Sequence, residues 1–235
     1  MTSIWDLANP QLRDLAVYEP GKPIEETARE LGAAAADIIK LASNEHPLGP
    51  SPKALEAMRA ALPFSHLYPD GGGYYLRNAL SAKLQVSREN IILGNGSNEI
   101  IEFLGHAFLA RGDEAIASEH AFVAYKLITA IFGALTIETP SPDYCHHLDA
   151  MLAAITPRTR LIFIANPNNP SGTLLSQDEI DEFMLRVPDR IVIAFDEAYF
   201  DIVDQAPDPM RFGRAGKNVI VLRTFAKIHG AASIP

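Results

Sequence analysis

The sequence predicts an α/β fold built on a mainly parallel sheet, and two patterns carry that prediction. From about Tyr74 onward, short runs of β-branched and aromatic residues alternate with stretches of helical spacing, the order expected of parallel strands joined by crossover helices. The runs over 161–165, 191–195 and 219–222 are apolar throughout, as strands buried on both faces must be. A polar cluster follows each of them: Asn166 to Gly172, Asp196 to Tyr199, and Arg223 to Lys227. In an open parallel sheet the carboxyl ends of the strands are where ligands bind.

Each element has its own local reason. Pro10, Pro20, Gly21 and Pro23 break up the start of the chain, so residues 1–40 read as an arm with one short helix over 24–31, closed by Gly32. Residues 41–235 read as one large domain. It opens with a loop over 41–50, after which Ser51 and Pro52 make a good helix start and 53–62 has helical spacing. A helix over 75–84 leads to a short strand over 90–93. Gly94-Asn-Gly-Ser-Asn98 then turns into a helix over 99–109. Strands over 115–118 and 135–138 bracket a helix over 121–132, and a helix over 148–155 precedes the first of the three apolar runs. Ser176 with Glu179 three residues on is a capping-box signature for the helix between the first two runs.

The bulk numbers bound the function. In 235 residues, 48% are hydrophobic and 21% charged, which supports a buried core in an ordinary soluble chain. A net charge of −9 argues against a nucleic-acid or anionic-membrane surface as the main role. Cys145 is the only cysteine, so neither a disulfide framework nor a thiolate metal cluster is expected, and a reducing cytoplasm suits the chain. The first residues show no basic start and no long apolar run, so no signal peptide and no membrane span are expected. His46, His106, His120, His146, His147 and His229 lack metal-site spacing and read as caps, surface or core; no metal is expected.

The strand-end residues fit pyridoxal phosphate. Its aldehyde needs a lysine for a Schiff base, its pyridine nitrogen a carboxylate, and its ring oxygen hydrogen-bond donors. Lys227, Asp196, Tyr199 and Asn169 supply an amine, a carboxylate, a phenol and an amide. Each has an ordinary reading as well. A lysine after a strand is usually a solvated surface residue, an aspartate there usually caps a helix, and Asn, Pro and Gly together usually make a turn. It is the ordered set that favours the ligand. Gly96 in the turn before a helix lets backbone amides approach a phosphate, although Ser97 and Asn98 also suit plain capping. Phe122 and Tyr125 suit stacking on a ring or simple core packing. Tyr18 and Tyr68 fall in loops, where a core role is harder to claim.

Six strings carry a family resemblance: Leu41-Ala-Ser-Asn-Glu-His-Pro-Leu-Gly-Pro-Ser-Pro52, Tyr68-Pro-Asp70, Ile91-Ile-Leu-Gly-Asn-Gly-Ser-Asn-Glu99, Asn166-Pro-Asn-Asn-Pro-Ser-Gly-Thr173, Asp196-Glu-Ala-Tyr199 and Arg223-Thr-Phe-Ala-Lys-Ile-His-Gly230. The set resembles the aspartate-aminotransferase fold superfamily of pyridoxal-phosphate enzymes (fold type I) and, in detail, the histidinol-phosphate aminotransferases. That resemblance implies a three-layer α/β/α large domain and a homodimer. It implies reversible amino exchange between histidinol phosphate and 2-oxoglutarate, the latter paired with glutamate, in histidine biosynthesis. It also implies roles: Lys227 for the Schiff base and proton shuttle, Asp196 on the ring nitrogen, and Asn169 and Tyr199 on the ring oxygen. Gly96, Ser97, Asn98 and Thr224 would bind the cofactor around its phosphate, with Phe122 stacking and Tyr125 nearby. Tyr68 would reach the cofactor of the neighbouring subunit, and Tyr18 and Asn44 would face substrate.

The chain departs from the family in two ways. Ala226 stands where the family has a serine before the lysine, and Pro235 where an arginine would bind the phosphate. A further sheet strand, lying in the family between the first strand and the one leading to the lysine, is also expected to be missing, as is a small C-terminal domain. The chain therefore reads as an incomplete large domain, expected to be a poor catalyst and marginal in folding. An aromatic amino-acid aminotransferase of the same fold and a non-catalytic remnant remain open as alternatives.

Overall fold

A computed structural model describes residues 2–13, 15, 17–18 and 21–233; Pro20 and Pro235, named above, lie outside them. Helices α1 (Ile4–Leu7), α2 (Ile24–Leu31), α3 (Pro52–Ala61) and α4 (Tyr74–Leu84) lead to α5 (Gly96–Phe108). Strand β1 (Glu114–Ser118), helix α6 (Ala124–Ile131), strand β2 (Leu135–Thr139), helix α7 (Leu148–Ala153) and strand β3 (Thr159–Ala165) follow. The chain continues through α8 (Gln177–Arg186), β4 (Val192–Asp196), α9 (Met210–Arg214) and β5 (Val219–Leu222).

The expected starts and stops are in place. Ser51 accepts from the amide of Ala54 with Pro52 in the first turn of α3, Gly32 closes α2 in the left-handed region, and Ser176 and Glu179 form the capping box of α8. Two short helices went unread. Ser3 and Asp6 form a second capping box at α1, a signature present in the sequence but followed by only one turn of helix. α9 has five residues and contains Gly213, too little for a periodic pattern.

All strand pairs are parallel, in the order β2-β1-β3-β4-β5. The chain moves outward to β2, then crosses back past β1 and adds β3, β4 and β5 on the other side. The sheet thus has its topological switch between β1 and β3, where ligand crevices form. Alternate residues feed two cores. Leu161, Phe163 and Ala165 of β3 pack with Ile101 and Leu104 of α5 and Tyr125 of α6. Ile162 and Ile164 pack on the other face with Met151 of α7 and Ile180 and Phe183 of α8. This is the three-layer α/β/α arrangement, and β3 at its centre is buried on both faces.

One expected strand is absent. Residues 88–90 make a 3-10 turn and 91–94 run on without a ladder partner. Among the described residues β5 is the edge strand on that side, and Ile91, Ile92 and Leu93 line the same cleft as Ile220 and Val221 of β5. An apolar run becomes a strand only when its amides and carbonyls meet another strand, and here a gap separates the two. Ile92 is accordingly 72% exposed.

α5 and α6 touch through Gly105. A Cβ there would collide with the Phe132 ring and stand 2.9 Å from Ile128 Cγ2. Alanine gains up to ~1 kcal/mol of helix propensity, against ~1–3 kcal/mol for overpacking a tight contact. Gly105→Ala is therefore expected to lower stability on balance, read as a lower denaturant midpoint with an unchanged slope.

Candidate active site

The carboxyl ends of β1, β3, β4 and β5 open into one cleft of about 1820 Å³ that runs on past α5. Phe122 enters it after β1, Pro167 and Asn169 after β3, Asp196 and Tyr199 at the end of β4, and Thr224 and Lys227 after β5. Register explains the meeting. Asp196 pairs with Ala165 on one side and with Leu222 on the other, so the three polar clusters leave the sheet side by side.

Asp196 is the most constrained group. It is only 5% exposed. Tyr125 Oη donates to Oδ2 at 2.8 Å and the Ala198 amide to Oδ1 at 3.1 Å. Burial pushes its carboxyl above the usual range, while the Tyr125 and Ala198 hydrogen bonds and the charge of Lys227 pull it back. Among the described residues no cation pairs with it directly, and each oxygen accepts a single hydrogen bond from a protein group. A buried carboxylate with open lone pairs and no salt-bridge partner suits a pyridinium N–H, so the donor set fits pyridoxal phosphate at this end.

Lys227 Nζ makes a long 3.4 Å hydrogen bond to the carbonyl of Ser43 and stands 5.6 Å from the centre of the Tyr199 ring. Asn44 Nδ2 donates to Tyr199 Oη at 2.9 Å, which leaves the phenol's own proton free to donate into the cleft. The lysine segment docks on the 41–50 loop through Gly230. That residue has φ of +64°, and a Cβ on it would lie 2.5–2.6 Å from backbone atoms of Gly49 and Pro50. The Asn169 amide makes no hydrogen bond among the described residues. Asn168 instead bonds the His120 carbonyl and Ser171, and Asn166 pairs with the backbone of Leu175. The first and second asparagines thus hold the loop while the third faces the cleft.

Gly96, Ser97 and Asn98 form the first turn of α5 and line the cleft. The Glu99 carboxylate already accepts the Asn95 amide at 2.6 Å, so an anion at this helix end meets some opposition. Tyr18 and Asn44 also line the cleft. Tyr68 does not: it is wholly exposed and apart from the other site residues. Tyr125 stands next to the cleft but not in its lining. Its side chain is fully buried, stacked on Phe163 with ring centres 4.6 Å apart and planes at 5°, and it lies behind Asp196 rather than in the cleft wall. The helix turns it toward the sheet, and the hydroxyl finds the buried carboxylate.

Two buried polar groupings escaped the sequence reading. Glu197, 3% exposed, holds Arg223 Nε at 2.8 Å, and the Arg223 guanidinium lies 3.7 Å over the Phe200 ring. Burial lifts Glu197 to about 7 against the pull of Arg223. The pair ties the ends of β4 and β5 beside Asp196. His146 is 6% exposed. One ring nitrogen meets Ser118 Oγ at 2.6 Å and the other the Ala165 carbonyl at 2.8 Å, which joins the ends of β1 and β3. The only signal for either was a polar residue beside an apolar run. His147, next in sequence, caps α7.

Burial holds the His146 pKa below 6.5. Burial thus favours the neutral ring in the folded state, against the pull of the Ala165 carbonyl; with Nε2–H donating to that carbonyl, the neutral ring has Nδ1 left to accept from Ser118. At pH well above 6.5 folded and unfolded rings are both neutral, and the contribution of His146 is fully present. As pH falls below 6.5 the unfolded ring takes a proton first, so stability drops until the depressed folded pKa is passed. Unfolding free energies from pH 7.5 to pH 5 are expected to fall less steeply in His146→Gln than in the unaltered chain; parallel curves would contradict this.

The family model for aminotransferases of class I and II matches residues 36–234. The histidinol-phosphate aminotransferase of Akkermansia muciniphila is 49% identical over 233 residues, covering 99% of this chain and 64% of the relative. That of Moorella thermoacetica is 49% identical over 220 residues, covering 92% and 56%. The chain thus spans less than two thirds of the length of these relatives. The crystal structure of histidinol-phosphate aminotransferase from Sinorhizobium meliloti, in complex with pyridoxal-5'-phosphate, superimposes with a TM-score of 0.83 at 27% identity, covering 96% of this chain and 60% of that one. A double mutant of Thermus thermophilus aspartate aminotransferase shares the fold at 21% identity with a TM-score of 0.80, covering 96% and 62%.

Proposed function

The chain belongs to the aminotransferase class I and II family, and on that premise we propose that its cleft holds pyridoxal phosphate and serves amino transfer between histidinol phosphate and 2-oxoglutarate. The observation that carries this reading is a buried carboxylate, Asp196, without a salt-bridge partner among the described residues and facing the same cleft as the amine of Lys227. The choice of histidinol phosphate rests on the names of relatives 49% identical.

When bound, pyridoxal phosphate supplies an aldehyde carbon open to amines and a pyridinium that draws electron density from it. The chain's own residues set the rest. Asp196 keeps the proton on the ring nitrogen by offering it a fixed negative charge in a dry place. Asn169 and Tyr199 donate to the ring oxygen, Tyr199 being aimed by Asn44. Lys227 Nζ would hold the group through its aldehyde and, once displaced from it by the substrate's amine, would be free to move the substrate's proton. Its weak tether to Ser43 lets the amine swing between these tasks. Gly96, Ser97, Asn98 and Thr224 would hold the phosphate, Phe122 would stack on the ring, and Tyr18 would face substrate. Tyr68, exposed in a single copy, serves the cleft of a second copy in a homodimer. Residues 1–40 act as an arm and 41–235 as the cofactor-binding domain. No described helix is long and apolar enough to cross a membrane, and a reducing cytoplasmic setting fits the lone Cys145.

Borohydride reduction of the chain with pyridoxal phosphate, followed by peptide mapping, is expected to label Lys227; a label elsewhere with Lys227 unmodified overturns the assignment. Lys227→Ala is expected to cost at least ~10²–10⁴-fold in amino transfer, the range of a lost acid–base group. Asp196→Ala should keep some cofactor while losing several orders of magnitude in rate, and a near-normal rate, measured in a version extended to the full length of the relatives, would argue decisively against its role.

A further inference from the structure

Tyr125 has no ligand to touch, yet its hydroxyl makes the shortest side-chain hydrogen bond to Asp196. The phenol has little freedom. Phe163 stacks on one face, Phe122 meets it edge-on at 5.8 Å and 90°, and its backbone carbonyl is held by Thr129 Oγ1 at 2.7 Å. Packing alone would be met by phenylalanine, which the chain uses at both neighbouring positions. The hydroxyl therefore needs a reason, and a buried phenol is costly unless it donates. We propose that Tyr125 is a positioning residue, set behind Asp196, whose hydrogen bond keeps that carboxylate anionic and in a single orientation for the cationic ring nitrogen of the bound cofactor. The inference rests on the reading of the cleft given above.

The surroundings make the hydroxyl decisive. From the turn after β4 come the Ala198 amide, Tyr199 and Glu197; from the segment after β5 comes Lys227; from α6 comes Tyr125 alone. Glu197 is a second acid and opposes the charge on Asp196, and burial opposes it further. Lys227 favours that charge, but its amine is the group committed to the aldehyde. Tyr125 is then the side-chain donor that stays on Asp196 throughout. Its own ionisation is pushed well up by burial and by Asp196, so it remains a donor wherever the protein is folded.

The test uses the full 235-residue chain. Without cofactor, the Asp196 carboxyl is titrated by carbon-13 NMR in the unaltered protein and in Tyr125→Phe. The midpoint is expected to move upward in the variant, and an unmoved midpoint overturns the inference whatever the cleft binds. With pyridoxal phosphate, absorbance titrations read binding. Tyr125→Phe is expected to weaken it roughly tenfold, the worth of a hydrogen bond to a charged group. The loss of binding on acidification should also begin at a higher pH. In an Asp196→Asn background, adding Tyr125→Phe should change nothing more; a further loss would mean that Tyr125 acts by another route and would overturn the inference. Failure of the unaltered chain to bind cofactor would count against the proposed function, while the cofactor-free titration would still decide the role of Tyr125. If Tyr125→Phe does not fold, the Tyr125 hydroxyl proton of the unaltered chain decides. A protected low-field resonance that shifts through the Asp196 midpoint supports the inference, and a proton in fast exchange with water overturns it.

Discussion

A carboxylate kept away from water is the constraint around which this domain is arranged. Taking a charge into a protein interior costs several kcal/mol even after relaxation, and Asp196 sits at the end of a central strand with only two protein donors. The sheet cannot move that group outward, because Ala165 and Leu222 fix its register on either side. It is packed on three sides: a stacked pair of rings behind, a tight turn after it, and buried strands beside it. What remains unsatisfied faces the cleft, so the protein leaves a stable, oriented demand for a cation.

Beyond that carboxylate, the strand ends are laced together by polar side chains bonded to one another. His146 and Ser118 join β1 to β3, and Glu197 and Arg223 join β4 to β5. Such buried networks hold geometry when every member is paired. They fix the strand ends that carry the cleft residues, and a shift of one strand end by an ångström would misplace an acid or amine there. A chain that needs several strands to deliver one group each gains most from fixing the strands to one another.

Much of this was legible in the sequence, for physical reasons that also mark the limits. Strands buried on both faces show as unbroken apolar runs, and β3, β4 and β5 fell where those runs lie. Caps are local, so Ser51, Gly32 and the Ser176–Glu179 box could be read from neighbours a few positions apart. The convergence of Asn169, Asp196, Tyr199 and Lys227 followed from the rule that strand ends share one side of a parallel sheet. What escaped depends on partners far along the chain. Residues 90–93 have the composition of a strand but no strand beside them to complete a ladder. Tyr125 reads as a ring for stacking until Asp196, 71 positions away, is seen to accept its proton. Arg223 and Glu197 look like ordinary surface charges until register brings β5 against β4.

The contact of Lys227 with Ser43 spans 184 positions, and Gly230 presses on Gly49 and Pro50. During synthesis the loop that receives the lysine leaves the ribosome long before the lysine exists. At ~5–20 residues per second the wait is roughly 10–40 s, far longer than helices need to form. For the first 155 positions of that interval Asn44 has no Tyr199 to hold, and the floor of the cleft is still being laid strand by strand. Among the cleft residues named above the amine is thus the last to be made, set into a loop made 184 positions before it.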